Sequence, residues 1–195
     1  MKKGITSEVE DMQLARACLE GNEKAQTQLF EKYSGQMMAL CLRYGKDYEQ
    51  AQDMFQEGFI KVFQKLELYE GKGPLGAWIR RTIANNALDQ LRKDKRESVH
   101  EEEYQVEFQY EHDLETGVFD EDESELTEDK LMSLVQKMPT GYRTVFNMYV
   151  VEDYSHKEIA DQLGIAESTS KTQYRKAKAY MRNLINEEIN NSVSD

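Results

Sequence analysis

Apolar residues recur at steps of three and four through most of the N-terminal half, and these steps predict four helices. Ser7 and Glu10 have the spacing of a capping box, and Leu14, Ala15, Cys18 and Leu19 follow as an apolar stripe that Gly21 closes. From Asn22 a longer stripe runs through Ala25, Leu29, Phe30, Tyr33, Met37, Leu40, Cys41 and Tyr44 and stops at Gly45. A third stripe begins near Asp47 and turns Ala51, Met54, Phe55, Phe59, Val62, Phe63 and Leu66 inward. Its opposite side holds Asp53, Gln56, Glu57, Ile60 and Gln64, so Ile60 stands among polar neighbours. The fourth helix follows the turn-rich residues 69–74 and buries Leu75, Ile79, Ile83, Ala87 and Leu91 at steps of four.

The C-terminal half opens with a short helix from Glu128 to Met138, and Pro139 is placed for the first position of the next one. The clearest local pattern follows. Ser155 and Glu158 make a capping box, Ile159, Ala160 and Leu163 form a short apolar face, and Gly164 supplies a left-handed turn. Glu167 or Ser168 can then cap a second helix. That is a helix-turn-helix pattern. On its second helix Ser170, Tyr174, Ala177, Met181 and Leu184 project to one side. Ser168, Lys171, Thr172, Arg175 and Arg182 project to the other, with Lys176 and Lys178 flanking, and this polar side suits a DNA major groove.

Charge divides the chain. The net charge of the 195 residues is −12, but residues 97–130 hold 15 acidic side chains against one basic and carry −14, so the remainder carries +2. That acidic stretch has scattered aromatics and no sustained helical period, as expected of a flexible linker. On one side of it residues 72–96 hold seven basic and two acidic residues; on the other, residues 166–182 hold five and one. The expectation is an all-α protein of two small helical domains, 1–96 and 128–195, joined by an acidic linker at 97–127. Two basic faces on either side of an acidic tether suggest two nucleic-acid contacts. On the fourth helix Arg81, Asn85, Arg92 and Arg96 share a face beside Trp78. The face thus combines phosphate-seeking cations, a base-reading amide and a stacking platform.

Other chemistry is sparse. Cys18 and Cys41 lie in apolar stripes without Cys-x-x-Cys spacing, and His100, His112 and His156 are scattered, so the cysteines read as core fillers and no metal or cofactor is expected. There is no glycine-rich phosphate loop and no nucleophile-base constellation, which argues against an enzyme. Acidic residues occupy the place of a signal's apolar segment, and no run approaches bilayer length, so a cytoplasmic protein without membrane insertion is expected.

Four motifs then stand in order: Asp53-x-x-Gln56-Glu57-x-Phe59; Trp78-Ile79-Arg80-Arg81-x-Ile83-Ala84-Asn85-Asn86-x-Leu88-Asp89; Met138-Pro139-x-x-Tyr142-Arg143-x-Val145-Phe146; and the helix-turn-helix. In this order they resemble RNA polymerase sigma factors, in particular the short extracytoplasmic-function group. The resemblance implies that Asp53, Gln56 and Glu57, with Ile60 in their midst, contact the clamp helices of core RNA polymerase. It implies that the loop at 71–76 and Trp78, Arg80, Arg81, Asn85, Asn86, Asp89 and Arg92 open and read the minus-ten promoter element as single strand. Ser168, Lys171, Thr172, Arg175 and Lys176 would read the minus-thirty-five element as duplex. Promoter DNA and core polymerase are the implied partners, and an anti-sigma protein covering both basic faces is a further family expectation. The acidic linker is expected either to mimic nascent RNA in the polymerase's exit path or to act as a solubilising tether. Ser170 departs from the family, which commonly places an apolar residue on that packed face. The reading that competes is a stand-alone helix-turn-helix regulator that binds operator DNA without polymerase.

Overall fold

A computed structural model describes residues 3–97 and 127–192, and no strand occurs among them. The chain divides into two compact units, Met1–Asp94 and Lys95–Asp195. Residues 98–126 of the acidic stretch, and with them both readings of the linker, lie outside the described residues.

The first unit contains α1 (Lys3–Leu19), α2 (Glu23–Tyr44), α3 (Tyr48–Lys65), a 3₁₀ turn (Leu66–Leu68) and α4 (Leu75–Glu97). Two helix starts are capped by side chains that the sequence makes conspicuous: Asn22 accepts from the backbone N–H groups of Lys24 and Ala25, and Asp47 from that of Gln50 at 2.8 Å. The start of α1 differs from expectation. The helix begins at Lys3, so Ser7 lies inside it and is no cap. Leu29, Leu40, Cys41, Met54, Val62, Ile79 and Ile83 fill the core. Between α3 and α4 the packing is close because Gly58 has no side chain; a Cβ there would stand 3.0 Å from Ile83 Cγ1. Several stripe residues do not reach this core. Leu19 and Phe30 are exposed, and Phe55, Phe63 and Leu91 are half-buried.

The second unit contains α5 (Glu128–Lys137), α6 (Thr140–Phe146), a π-helical turn (Asn147–Val151), α7 (His156–Leu163) and α8 (Glu167–Ser192). Pro139 is the N-cap of α6, one position earlier than expected, since its fixed φ suits either place. Leu134, Val135 and Met138 pack on Ala177, Met181 and Ile185 of α8, so the far half of α8 serves the core. Arg143 is buried in α6 and donates from Nη1 to the carbonyls of Gln136 at 2.9 Å and Met138 at 3.1 Å. One guanidinium thereby joins α6 to the open carbonyl end of α5, where helices leave such groups unpaired. The Ser155–Glu158 capping box forms in full at the start of α7. Gly164 ends α7 at φ 65°, a left-handed conformation that costs an L side chain energy and glycine none. α8 begins at Glu167 itself, so Glu167 and Ser168 occupy its first turn rather than cap it.

Candidate nucleic-acid and partner interfaces

Three surfaces hold the residues singled out by their pattern. The first is on α3, where Asp53, Gln56, Glu57 and Ile60 are all exposed, Ile60 to 56%. Glu57 accepts from Gln90 Nε2 at 2.7 Å, which ties this face to α4. Beside it lies a feature that the stripes concealed. Phe30 of α2 meets Phe59 and Phe55 of α3 with ring centroids 4.8 and 5.9 Å apart, and with Gln56, Ile60 and Phe63 these rings line an open cleft of about 510 Å³. The signal was the spacing of Phe55, Phe59 and Phe63 at four, which sets the aromatic row directly alongside Gln56 and Ile60.

The second surface joins residues 69–74 to α4. Tyr69 is buried, donates from its hydroxyl to the Gly73 carbonyl at 2.7 Å and packs its ring 6.0 Å from the half-buried Trp78. Arg81 and Asp89 are exposed, and Arg80, Asn85 and Arg92 are partly so. Arg92 pairs with Asp89 one turn back, so each holds the other's charge in place. Asn86 does not share this surface. It is buried, and its amide donates to the Met54 carbonyl at 3.1 Å, binding α4 to α3. The face expectation fails there because Asn86 is next to Ala87 and Ile83 on the inward side of the helix. The side chain of Arg96 lies outside the described residues.

The third surface is the start of α8, where Ser168, Lys171, Thr172, Arg175 and Lys176 are all exposed on about two turns. Lys171 pairs with Glu167 at 2.6 Å, and that hydrogen bond, with the Lys171 charge, holds the Glu167 carboxyl below the usual carboxylate range. The packed side rests on Ser170. Its hydroxyl is buried, lying 3.0 Å from His156 Nδ1 at the start of α7, so the polar departure from the family's apolar position has a partner. The His156 ring stacks on Tyr149 with centroids 4.4 Å apart, and Tyr149 in turn meets Tyr174 at 4.4 Å. Partial burial, followed by the nearby Lys171 charge, lowers the His156 pKa. This aromatic pile braces α8 against α7 and the π-helical turn.

Both cysteines are buried and free; burial raises the Cys18 thiol pKa and pushes that of Cys41 up to about 12. Among the described residues no three His, Cys, Asp or Glu side chains are grouped to hold a metal ion, and no helix is long and apolar enough to cross a membrane.

A helical unit with an exposed basic helix, followed by a unit built on a helix-turn-helix, defines a class of two-part, DNA-directed transcription proteins. Residues 29–97 match the family described as Sigma-70 region 2, and residues 128–181 match Sigma-70, region 4. The chain is 25% identical over 167 residues to the ECF RNA polymerase sigma factor SigW of Bacillus subtilis, covering 83% of this chain and 89% of that one. It is 25% identical over 182 residues to the RNA polymerase sigma-H factor of Pseudomonas aeruginosa, covering 89% and 93%. In fold it is similar to the sigma factor RpoE of Bartonella quintana, solved in complex with the anti-sigma factor NepR. The TM-score is 0.51 at 18% identity, over 82% of this chain and 96% of that one. The chain belongs to the sigma-70 family of RNA polymerase sigma factors, in its extracytoplasmic-function group, and is a transcription initiation factor. The names of these relatives are those of transcription factors rather than catalysts.

Proposed function

We propose that the three surfaces divide the work of initiation. Asp53, Gln56, Glu57 and Ile60, extended by the phenylalanine cleft, dock core RNA polymerase. Trp78, Arg80, Arg81, Asn85, Asp89 and Arg92, with the loop at 69–74, capture the minus-ten element as single strand. Ser168, Lys171, Thr172, Arg175 and Lys176 read the minus-thirty-five element in the major groove. Domains 1–96 and 128–195 thus each hold one promoter contact, and 97–127 links them. The factor works in the cytoplasm without a cofactor. An anti-sigma protein is a further partner, one that would act by covering the same faces.

Energetics favour the division. Opening DNA costs stacking energy of about 1.4 kcal/mol per base-pair step. Stacked and cation-bound single strand recovers part of that cost, and a second, duplex contact anchors the complex while it does so. No catalytic group is needed.

The observation that carries this reading over a stand-alone regulator is the α3 face. Ile60 is exposed among Asp53, Gln56 and Glu57 and continues into an aromatic cleft, a docking surface for which an operator binder has no use. The test is run-off transcription from a supercoiled promoter pool with bacterial core polymerase. Wild type gives specific starts, and Asp53→Ala/Gln56→Ala gives few or none. Sequence-specific DNA binding by the free protein with no starts at all would establish the stand-alone regulator instead.

A further inference from the structure

The minus-ten surface is held in shape by residues that lie far from it in the chain. Asp11, in the middle of α1, is only 3% exposed, and both oxygens of its carboxylate accept hydrogen bonds. Oδ1 accepts from Lys32 Nζ at 2.9 Å and from the Tyr33 hydroxyl at 3.3 Å, and Oδ2 accepts from the backbone N–H of Leu75 at 3.0 Å. Leu75 is the first residue of α4, where a helix leaves its N–H groups without intrahelical partners. An anion there is favoured by both hydrogen bonding and the helix dipole. Asp11 therefore caps α4 from another helix. The neighbouring Met12 lies under the loop: a Cβ on Gly71, which has φ +72°, would stand 2.5 Å from Met12 Sδ. Tyr33, a second side-chain partner of Asp11, lies against Gly76: a Cβ there would stand 2.8 Å from Tyr33 Cε1. Asp11 and Met12 both precede the residues matched to region 2, which start at 29.

We propose that Asp11 is a positioning residue for minus-ten capture, through which α1 fixes the start of α4 and the loop at 69–74 beside Trp78. The role rests on the reading of that surface given above. On the other side of the carboxylate, the hydrogen bond to Asp11 raises the Lys32 pKa despite partial burial. The Lys32 pair is separable from the cap, since Lys32 binds Oδ1 and the Leu75 N–H binds Oδ2.

The experiment uses the full chain assembled with core polymerase. The probe is a promoter recovered from wild-type run-off starts, prepared as intact duplex and with the minus-ten segment mispaired, each also with single-base changes in that segment. Asp11→Ala is expected to lower permanganate reactivity of the duplex minus-ten segment by about tenfold, the scale of a lost cap, and to flatten base discrimination on the mispaired template. Assembly with core and binding to the minus-thirty-five duplex should not change. Asp11→Asn keeps an acceptor for the Leu75 N–H, and Lys32→Met leaves the carboxylate in place; both should retain discrimination. Equal discrimination by Asp11→Ala and wild type, or a defect in Asp11→Asn as large as that in Asp11→Ala, overturns the role of Asp11. If Asp11→Ala does not assemble, Met12→Ala removes the other contact of α1 with the loop, and unchanged discrimination in it is equally fatal. A wild-type protein that shows no base discrimination on the mispaired template overturns the minus-ten reading itself, and Asp11's role with it.

Discussion

Among the described residues each unit has one buried charged side chain, Asp11 in the first and Arg143 in the second, and the two differ in reach. In the first, the Asp11 carboxylate binds a backbone N–H 64 residues away; in the second, Arg143 binds carbonyls seven and five residues back. The surfaces they support differ in the same way. The α8 face is a row of side chains on a single helix, and a duplex groove asks for little more. The α4 face needs a loop of defined shape beside it, because an unpaired base must be enclosed and stacked. In the proposed division of work, reading a duplex is thus a local construction, whereas holding a single strand requires parts from α1, α2 and α4.

Removing the buried charge of the second unit should produce the largest effect. Arg143→Ala removes two charge-assisted hydrogen bonds from the interior and is expected to cost about 3 kcal/mol. Urea denaturation can follow the first unit through Trp78, the single tryptophan, which lies in it. Its transition should stay in place while amide exchange in α6 and α8 accelerates. In the first unit, Gly58→Val forces a branched side chain against Ile83 and should cost about 2 kcal/mol, this time moving the Trp78 transition.

The next effects concern binding and should cross over. Lys171→Ala with Arg175→Ala should weaken duplex minus-thirty-five binding by about tenfold and reduce its salt slope by about two. Capture of a mispaired minus-ten segment should survive. Arg81→Ala should do the reverse. A common loss in both assays would show that the two faces are not independent.

The smallest effect is on pH. His156 titrates below its ordinary value, chiefly through partial burial, so the unfolded chain takes up the proton first. Stability of the second unit should therefore fall as pH drops through about 6.5 and level off below the folded-state pKa. His156→Gln should flatten that slope, as followed by thermal denaturation between about pH 5 and pH 8.

How much was legible follows from the same contrast. The helix-turn-helix could be read almost atom by atom, since a capping box, a left-handed glycine and a basic face span only residues 155–182. Ile60 could also be placed, because helical phase alone puts it among Asp53, Gln56 and Glu57. Phase was misleading where a stripe is wider than the surface that covers it: Phe30, Phe55 and Phe63 belong to the helix's apolar side, yet line an open cleft. Asn86 is a different case: the resemblance alone put it on the minus-ten face, whereas helical phase sets it beside Ile83 and Ala87, and in the structure it is buried with its amide on the Met54 carbonyl.

By itself the sequence determined the helices, the Ser155–Glu158 capping box, the division of charge and the order of motifs that marks the family. These rest on periodicities and hydrogen bonds within a few residues. Only the tertiary structure decided that Asp11 caps α4, that Met12 lies under Gly71, and that Ser170 is partnered by His156. The physical reason is that the partner of a buried polar group is set by which helix faces converge in space, and periodicity along one helix carries no information about which other helix it will meet.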